Sequence, residues 1–172
     1  MFPIFVVLFA IAQVPEPVPF SGEAPTVIEQ PNFSPGNACK KRSLQAINEA
    51  CDEILMWGYN FTDRDYADAL VAAHKRIRRV EVILDSRANK TNKNSVAKFL
   101  QGGGVTTWLD SRHKIAHSKT IVVDGQLVIV GSFNWSNAAR SNLEHQVALH
   151  FEQLAAPFRD NFEQHKNHAE RY

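Results

Sequence analysis

Residues 113 to 135, HKIAHSKTIVVDGQLVIVGSFNW, set a histidine, a lysine, an aspartate, a serine and an asparagine at short offsets inside an apolar, strand-like run. Asp124-Gly125 lies between two β-branched stretches, the pattern of a hairpin closed by a type I′ turn, which needs positive φ at both central residues. With a loop of those two residues, Val123 faces Gln126, Lys119 faces Val130 and His117 faces Ser132. Paired residues, and residues two apart on one strand, project to the same side of a sheet. His117, Lys119, Ser132 and Asn134 are therefore expected on one face at the open end of the hairpin. Taken singly, each has an ordinary explanation: a strand histidine is commonly a satisfied core or edge residue, and Ser132 and Asn134 suit turns or caps. Coincidence explains four together poorly. Asp124, at the turn and away from that end, is expected to be structural.

Such a group fits phosphate chemistry. Lysine supplies a point charge for phosphate oxygens, serine and asparagine supply neutral donors, and a short helix begun by NWSNAAR would aim backbone N–H groups at an anion. Histidine in that company can act as nucleophile or as general acid. No carboxylate cluster suited to Mg²⁺ or Ca²⁺ accompanies the motif, so catalysis without metal or other cofactor is expected. Two cysteines with no Cys/His cluster carry no zinc signature.

The elements that must position these residues read as an α/β layered domain, apolar strands alternating with amphipathic helices. Strands are expected at Thr26 to Glu29, Glu53 to Tyr59, Arg79 to Leu84, Val105 to Leu109, His117 to Val123, Gln126 to Val130 and Leu143 to Phe151. Helices are expected at Lys40 to Cys51, Asp63 to Lys75, Ser95 to Gln101 and Ala156 to His168, and the glycines at 102 to 104 fit a helix stop. No internal repeat is visible. At 172 residues, 44% of them hydrophobic, the chain suffices for one well-buried domain rather than two.

The formal net charge of +1 excludes a polybasic arm but leaves room for a patch. Lys75, Arg76, Arg78, Arg79, Arg87, Lys90 and Lys93 crowd one stretch against only Glu81 and Asp85, though charge runs usually just face water. The apolar start, with Ala10-Ile11-Ala12 at its end, reads as a secretory signal peptide over residues 1–12, followed by a Pro-rich connector over 13–25 and the folded domain over 26–172. Export to the periplasm or medium is the expectation, with no stable membrane insertion once the signal is removed. If Cys39 and Cys51 both sat on the first helix they would lie on the order of 18 Å apart, too far for a disulfide, which needs Cα atoms within about 7 Å.

His117, Lys119 and Asp124, followed by Gly131-Ser132-x-Asn134, resemble the HxKxxxxDxxxxxxGSxN motif of the phospholipase D superfamily. The resemblance runs from about Val27 to the last helix. Within the superfamily the chain looks like the small, single-motif, exported bacterial endonucleases often carried on conjugative plasmids, to which NFTDRDYADALVAAHKR, ILDSRANKTNKNS and GSFNWSNAARSNLEHQVAL are similar. The family implies a layered α/β sandwich, a mixed sheet flanked by helices with one HKD motif per chain. It also implies a homodimer that cleaves phosphodiesters through a phosphohistidine without metal. By motif, His117 is the nucleophile or its partner acid, Lys119, Ser132 and Asn134 hold the phosphate, and Asp124, Gly125 and Gly131 belong to the motif's frame. Glu144 in NLEHQVAL matches the family's histidine-orienting glutamate, against the plainer reading of a solvent-facing strand residue.

Three substrates or roles compete. A sequence-tolerant endonuclease acting on DNA, with RNA as the alternative, is favoured by the basic segment containing Arg87, Lys90 and Lys93, because Lys and Arg contacts to phosphates dominate nucleic-acid affinity. A phospholipase would use the same core chemistry but call for an apolar surface near the site. A non-catalytic binding module is disfavoured by the intact motif. Trp57, Trp108 and Trp135 could stack on bases, although core packing is the commoner fate of a strand tryptophan.

Overall fold

The computed structural model describes residues 27–172, so the expected signal peptide and connector lie outside the described residues. In chain order the elements are β1 (Val27–Ile28), β2 (Asn32–Ser34), α1 (Ala38–Glu49), β3 (Glu53–Gly58), α2 (Arg64–His74), β4 (Arg79–Asp85), α3 (Ser86–Lys90) and α4 (Ala97–Gly102). They continue with β5 (Thr106–Asp110), β6 (Thr120–Val123), β7 (Leu127–Gly131), a 3-10 helix (Asn137–Ser141), β8 (Glu144–His150), α5 (Glu152–Lys166) and β9 (Glu170–Arg171). The strands form one mixed sheet in the order β1-β8-β7-β6-β3-β4-β5-β9, with β2 also on β8. β3, β4 and β5 are mutually parallel, and β6, β7 and β8 run antiparallel beside them.

Both faces of the sheet are covered, which is why its central strands are buried along nearly their whole length and largely apolar rather than alternating. On β3, Ile54 and Met56 join Ile47, Leu70, Leu100, Ile121 and Trp135 in the larger core. Leu55 and Trp57 point the other way, into a smaller core with Ile83, Val122, Val128, Ala155 and Phe162 of α5.

The expected α/β class holds, and the differences are local. β2 and β9 are too short to show a period. α3 forms where Asp85 caps it, its Oδ1 accepting the Ala88 N–H at 2.7 Å. α5 starts at Glu152 rather than Ala156 because Phe151 O accepts the N–H groups of Leu154 and Ala155 and closes the first turn ahead of Pro157. Cys39 is buried, Cys51 is exposed, and both are free thiols.

Candidate active site

The hairpin closes as expected but pairs one residue out of the expected register. Asp124 and Gly125 both have positive φ, 52° and 65°, and the Gln126 N–H closes the turn on Val123 O at 3.0 Å. Gln126 does not then enter the β6–β7 ladder: its carbonyl accepts the Phe151 N–H at 2.7 Å. The strands consequently pair Val123 with Leu127 and Thr120 with Val130. Lys119 is not opposite Val130, nor His117 opposite Ser132. β6 itself begins only at Thr120, so His117 and Lys119 lie on the non-ladder segment leading into it. Strand parity therefore does not set the direction of either side chain.

That segment is held at the carboxyl ends of the parallel strands, where open α/β sheets form their binding crevices. Asp85, at the end of β4, accepts the Ala116 N–H on Oδ2 at 2.9 Å while its other oxygen caps α3. Tyr59, just past β3, lies against both motif residues, its ring 4.7 Å from the His117 imidazole and 5.4 Å from Lys119 Nζ. Lys119 is only 5% exposed. Its Nζ donates to His117 O at 2.6 Å, and among the described residues no carboxylate forms a salt bridge with it. Burial pushes its pKa down to about 8, with the Glu144 charge acting in the opposite direction. His117 is also held below the usual imidazole value, by partial desolvation and then by the Lys119 ammonium, with Asp85 opposing.

The other motif residues line the ends of β7 and β8. Ser132 Oγ accepts the His145 N–H at 3.2 Å, and the Ser132 N–H bonds back to His145 O. Gly131 is obligatory there, since a Cβ would lie 2.1 Å from His145 O. Asn134 precedes Trp135, whose indole donates to Trp57 O at 2.7 Å and whose carbonyl takes the N–H groups of Thr62 and Asp63. Asn134 Oδ1 is buried without a hydrogen-bond partner among the described residues. Glu144 Oε1 accepts from Asn142 Nδ2 at 3.0 Å; Glu144 acts on Lys119 through charge and makes no hydrogen bond to His117 of its own chain. Asp124 sits at the far end of the hairpin, its carboxylate accepting the N–H groups of Cys51, Asp52 and Glu53 at the start of β3.

The basic cluster divides by position. Arg76 binds the carbonyls of Ile47 and Ala50, Arg78 pairs with Asp52, and Arg79 with Glu53, Glu81 and Glu163. These sit at the start of β4. Arg87, Lys90 and Lys93 lie past its other end and are exposed; among the described residues Lys90 alone is engaged, 3.4 Å from Glu170. Trp57 and Trp135 are core residues, and Trp108 donates to Glu81, so none of the three is a free stacking platform.

Two features escaped the sequence. Tyr59 carried no signal beyond ending a strand. Asp110, His113, His165 and His168 form a compact group in space, which was not singled out from the sequence. The only hint was the shared three-residue offset of Asp110 to His113 and of His165 to His168. His113 and His165 line, with His117 and Trp57, a cleft of about 160 Å³.

Comparison with known proteins agrees with this fold. The family described as cardiolipin synthase, PLD-like domain, matches residues 43–166. A phospholipase D of Rickettsia typhi is 34% identical over 131 residues, covering 76% of this chain and 64% of that protein, so the match spans less than two thirds of the relative's length. Among solved structures, the phospholipase D family member Nuc from Salmonella typhimurium superposes with a TM-score of 0.80 at 34% identity, covering 85% of this chain and 97% of that one. NucT from Helicobacter pylori, at 20% identity, shares the fold with a TM-score of 0.76 over 85% of this chain and all of that one. The chain belongs to the phospholipase D-like family.

Proposed function

We propose that the protein is a metal-independent phosphodiesterase acting as a sequence-tolerant endonuclease, with DNA as its main substrate. The observation that carries this reading is Lys119. A buried ammonium with no carboxylate against it is costly unless an anion completes its surroundings, and a substrate phosphate between Lys119, Ser132 and Asn134 would do so. Neutral His117 then attacks phosphorus, an N–P bond forms as the P–O bond to the leaving oxygen breaks, and a second histidine donates the proton that oxygen needs. Water attacks the phosphohistidine in reverse order and restores the imidazole. The charge that a metal would otherwise supply is the lysine's.

The exposed Arg87, Lys90 and Lys93, next to the Asp85-held segment, would follow a nucleic-acid backbone. Because each chain has one motif, the second histidine is proposed to be His117 of another copy across a two-fold axis. Exposed apolar side chains near the open ends of β7 and β8, Leu143 at 90% and Phe33 at 61%, suit such an interface. The Rickettsia typhi relative's name favours a second reading, hydrolysis of a phospholipid phosphodiester by the same residues. Among the described residues, no helix is long and apolar enough to cross a membrane.

Purified protein offered duplex DNA, single-stranded DNA, RNA and phospholipid vesicles in millimolar EDTA decides between them. Nucleic-acid cleavage in EDTA is expected. Cleavage of the vesicles alone would move the assignment to the phospholipase, and a loss of activity restored only by Mg²⁺ or Ca²⁺ would overturn the mechanism.

A further inference from the structure

Asp110 ends β5, His113 follows in the loop toward His117, and His165 and His168 lie at the end of α5 and just beyond it. One oxygen of Asp110 is the centre of the group. Its Oδ2 lies 2.8 Å from His113 Nδ1, 3.4 Å from His165 Nδ1 and 3.5 Å from His168 Nε2. The three imidazole rings stand 4.9 to 5.3 Å apart, and one ligand atom from each of the four residues falls within 4.8 Å of all the others.

Hydrogen bonding alone accounts poorly for this. Among the described residues, His113 alone makes a hydrogen bond to Oδ2, and His168 Nε2 is buried with no hydrogen-bond partner. A buried ring nitrogen left unbonded, aimed at a buried carboxylate already shared with two other rings, is a costly arrangement. A cation among the four atoms removes the cost, since every one of them becomes a ligand. Ligands about 2.0 to 2.2 Å from a tetrahedral Zn²⁺ stand about 3.3 to 3.6 Å from one another; the His165 and His168 distances to Oδ2, 3.4 and 3.5 Å, already fall in that range, and His113, hydrogen-bonded at 2.8 Å, has to move out by about half an ångström to join them. The remaining Asp110 oxygen accepts the N–H groups of Arg112 and His113 at 3.0 and 3.4 Å, the kind of outer support that fixes a ligating carboxylate.

We propose that Asp110, His113, His165 and His168 bind one Zn²⁺ in a closed tetrahedral site that staples the end of α5 to the loop leading to His117. Three imidazoles and a carboxylate suit Zn²⁺ better than Mg²⁺ or Ca²⁺, which prefer oxygen ligands. Four protein ligands leave no open position for substrate, so the ion's role is structural. This stands apart from the chemistry assigned to His117, and its readout is metal binding rather than turnover.

The untagged full chain, stripped with chelator and dialysed, is titrated with Co²⁺ as a spectroscopic stand-in and then with Zn²⁺. One equivalent of Co²⁺ per chain with the intense visible bands of tetrahedral coordination is expected, displaced by one equivalent of Zn²⁺, which also raises the thermal midpoint. His113→Ala, on an exposed loop, and His168→Ala should both lose the bands and the thermal response, while His117→Ala keeps them. Binding below one equivalent in the wild-type chain, the weak spectrum of octahedral Co²⁺, or bands that persist in folded His113→Ala protein would each overturn the site.

Discussion

The division of labour between His117 and Lys119 depends on how far each is removed from water. A nucleophilic imidazole must be neutral, and lowering its pKa enlarges the neutral fraction at neutral pH. His117 is held low and Lys119 is brought to about 8, so the two define a window. As pH falls, protonation of His117 removes the nucleophile; the acid limb of kcat/KM is expected below the ordinary histidine value of about 6.5. As pH rises past about 8, Lys119 loses the charge that holds phosphate. Lys119→Arg, whose guanidinium does not titrate in this range, should remove the fall in activity near pH 8 while lowering the rate, leaving the separate loss that comes from deprotonation of the proton-donating histidine; a fall near pH 8 that stays in place would assign it to another group. Replacing His117 by alanine should cut turnover by more than roughly a thousand-fold with folding and nucleic-acid binding retained. Should substantial turnover survive, His145, exposed on β8, is the next nucleophile to examine, ahead of His150, which is bonded to Glu29 at 2.7 Å.

At the level of elements, the hairpin is clamped at both ends by different means. Asp124 ties the turn to the start of β3 through three N–H groups, far from the reacting residues. Asp124→Ala is therefore expected to cost about 1–3 kcal/mol of stability and to leave kcat nearly unchanged below the melting range, which denaturant titration and steady-state assays would read together. A comparable loss of kcat in fully folded protein would give Asp124 a place in the chemistry. Gly131→Ala acts at the opposite end, where the added methyl meets the β8 backbone, and should cost a similar amount while displacing Ser132 and reducing turnover as well. Past the end of β4, α3 and the turn after it present Arg87, Lys90 and Lys93 to solvent. Substituting all three by alanine should weaken binding to every DNA sequence alike and reduce the slope of log K against log salt by about 2 to 3. Arg78→Ala, at the other end of the strand, should leave that slope unaltered.

For the whole molecule, the decisive question is whether one chain carries a complete site. In a C₂ dimer the same patch of each copy meets its mate, so a His117 near the axis meets another His117. Wild-type and His117→Ala chains, mixed and fully exchanged, test this composite site. If one histidine attacks while the other donates a proton, mixed dimers are dead and activity falls as the square of the wild-type fraction. A linear fall, or a fully active monomer at assay concentration, would show that each chain works alone. The Zn²⁺ staple belongs to the same scale, since it joins the last helix to the central crevice; chelation should lower the thermal midpoint without ending turnover at temperatures below it.

What the sequence determined by itself was whatever short-range chemistry encodes. The positive-φ turn at Asp124-Gly125, the apolar runs of β3 and β4, and the spacing of His117, Lys119, Gly131, Ser132 and Asn134 are legible because each depends on neighbours a few residues away. The register of that same hairpin was not, because Gln126 is drawn out of the ladder by the N–H of Phe151, a partner remote in sequence. Nor could composition tell Arg79, absorbed by three glutamates, from Arg87, exposed past the end of the strand: the six steps of extended chain from Arg79 to Asp85 separate the two ends of β4 by about 20 Å. The burial of Lys119 is decided by Tyr59 and the strands around it, and the gathering of Asp110 and His113 with His165 and His168 by the docking of α5. Local pattern specifies which groups are available; only tertiary packing decides which are desolvated, which are already paired, and which are left to meet a ligand.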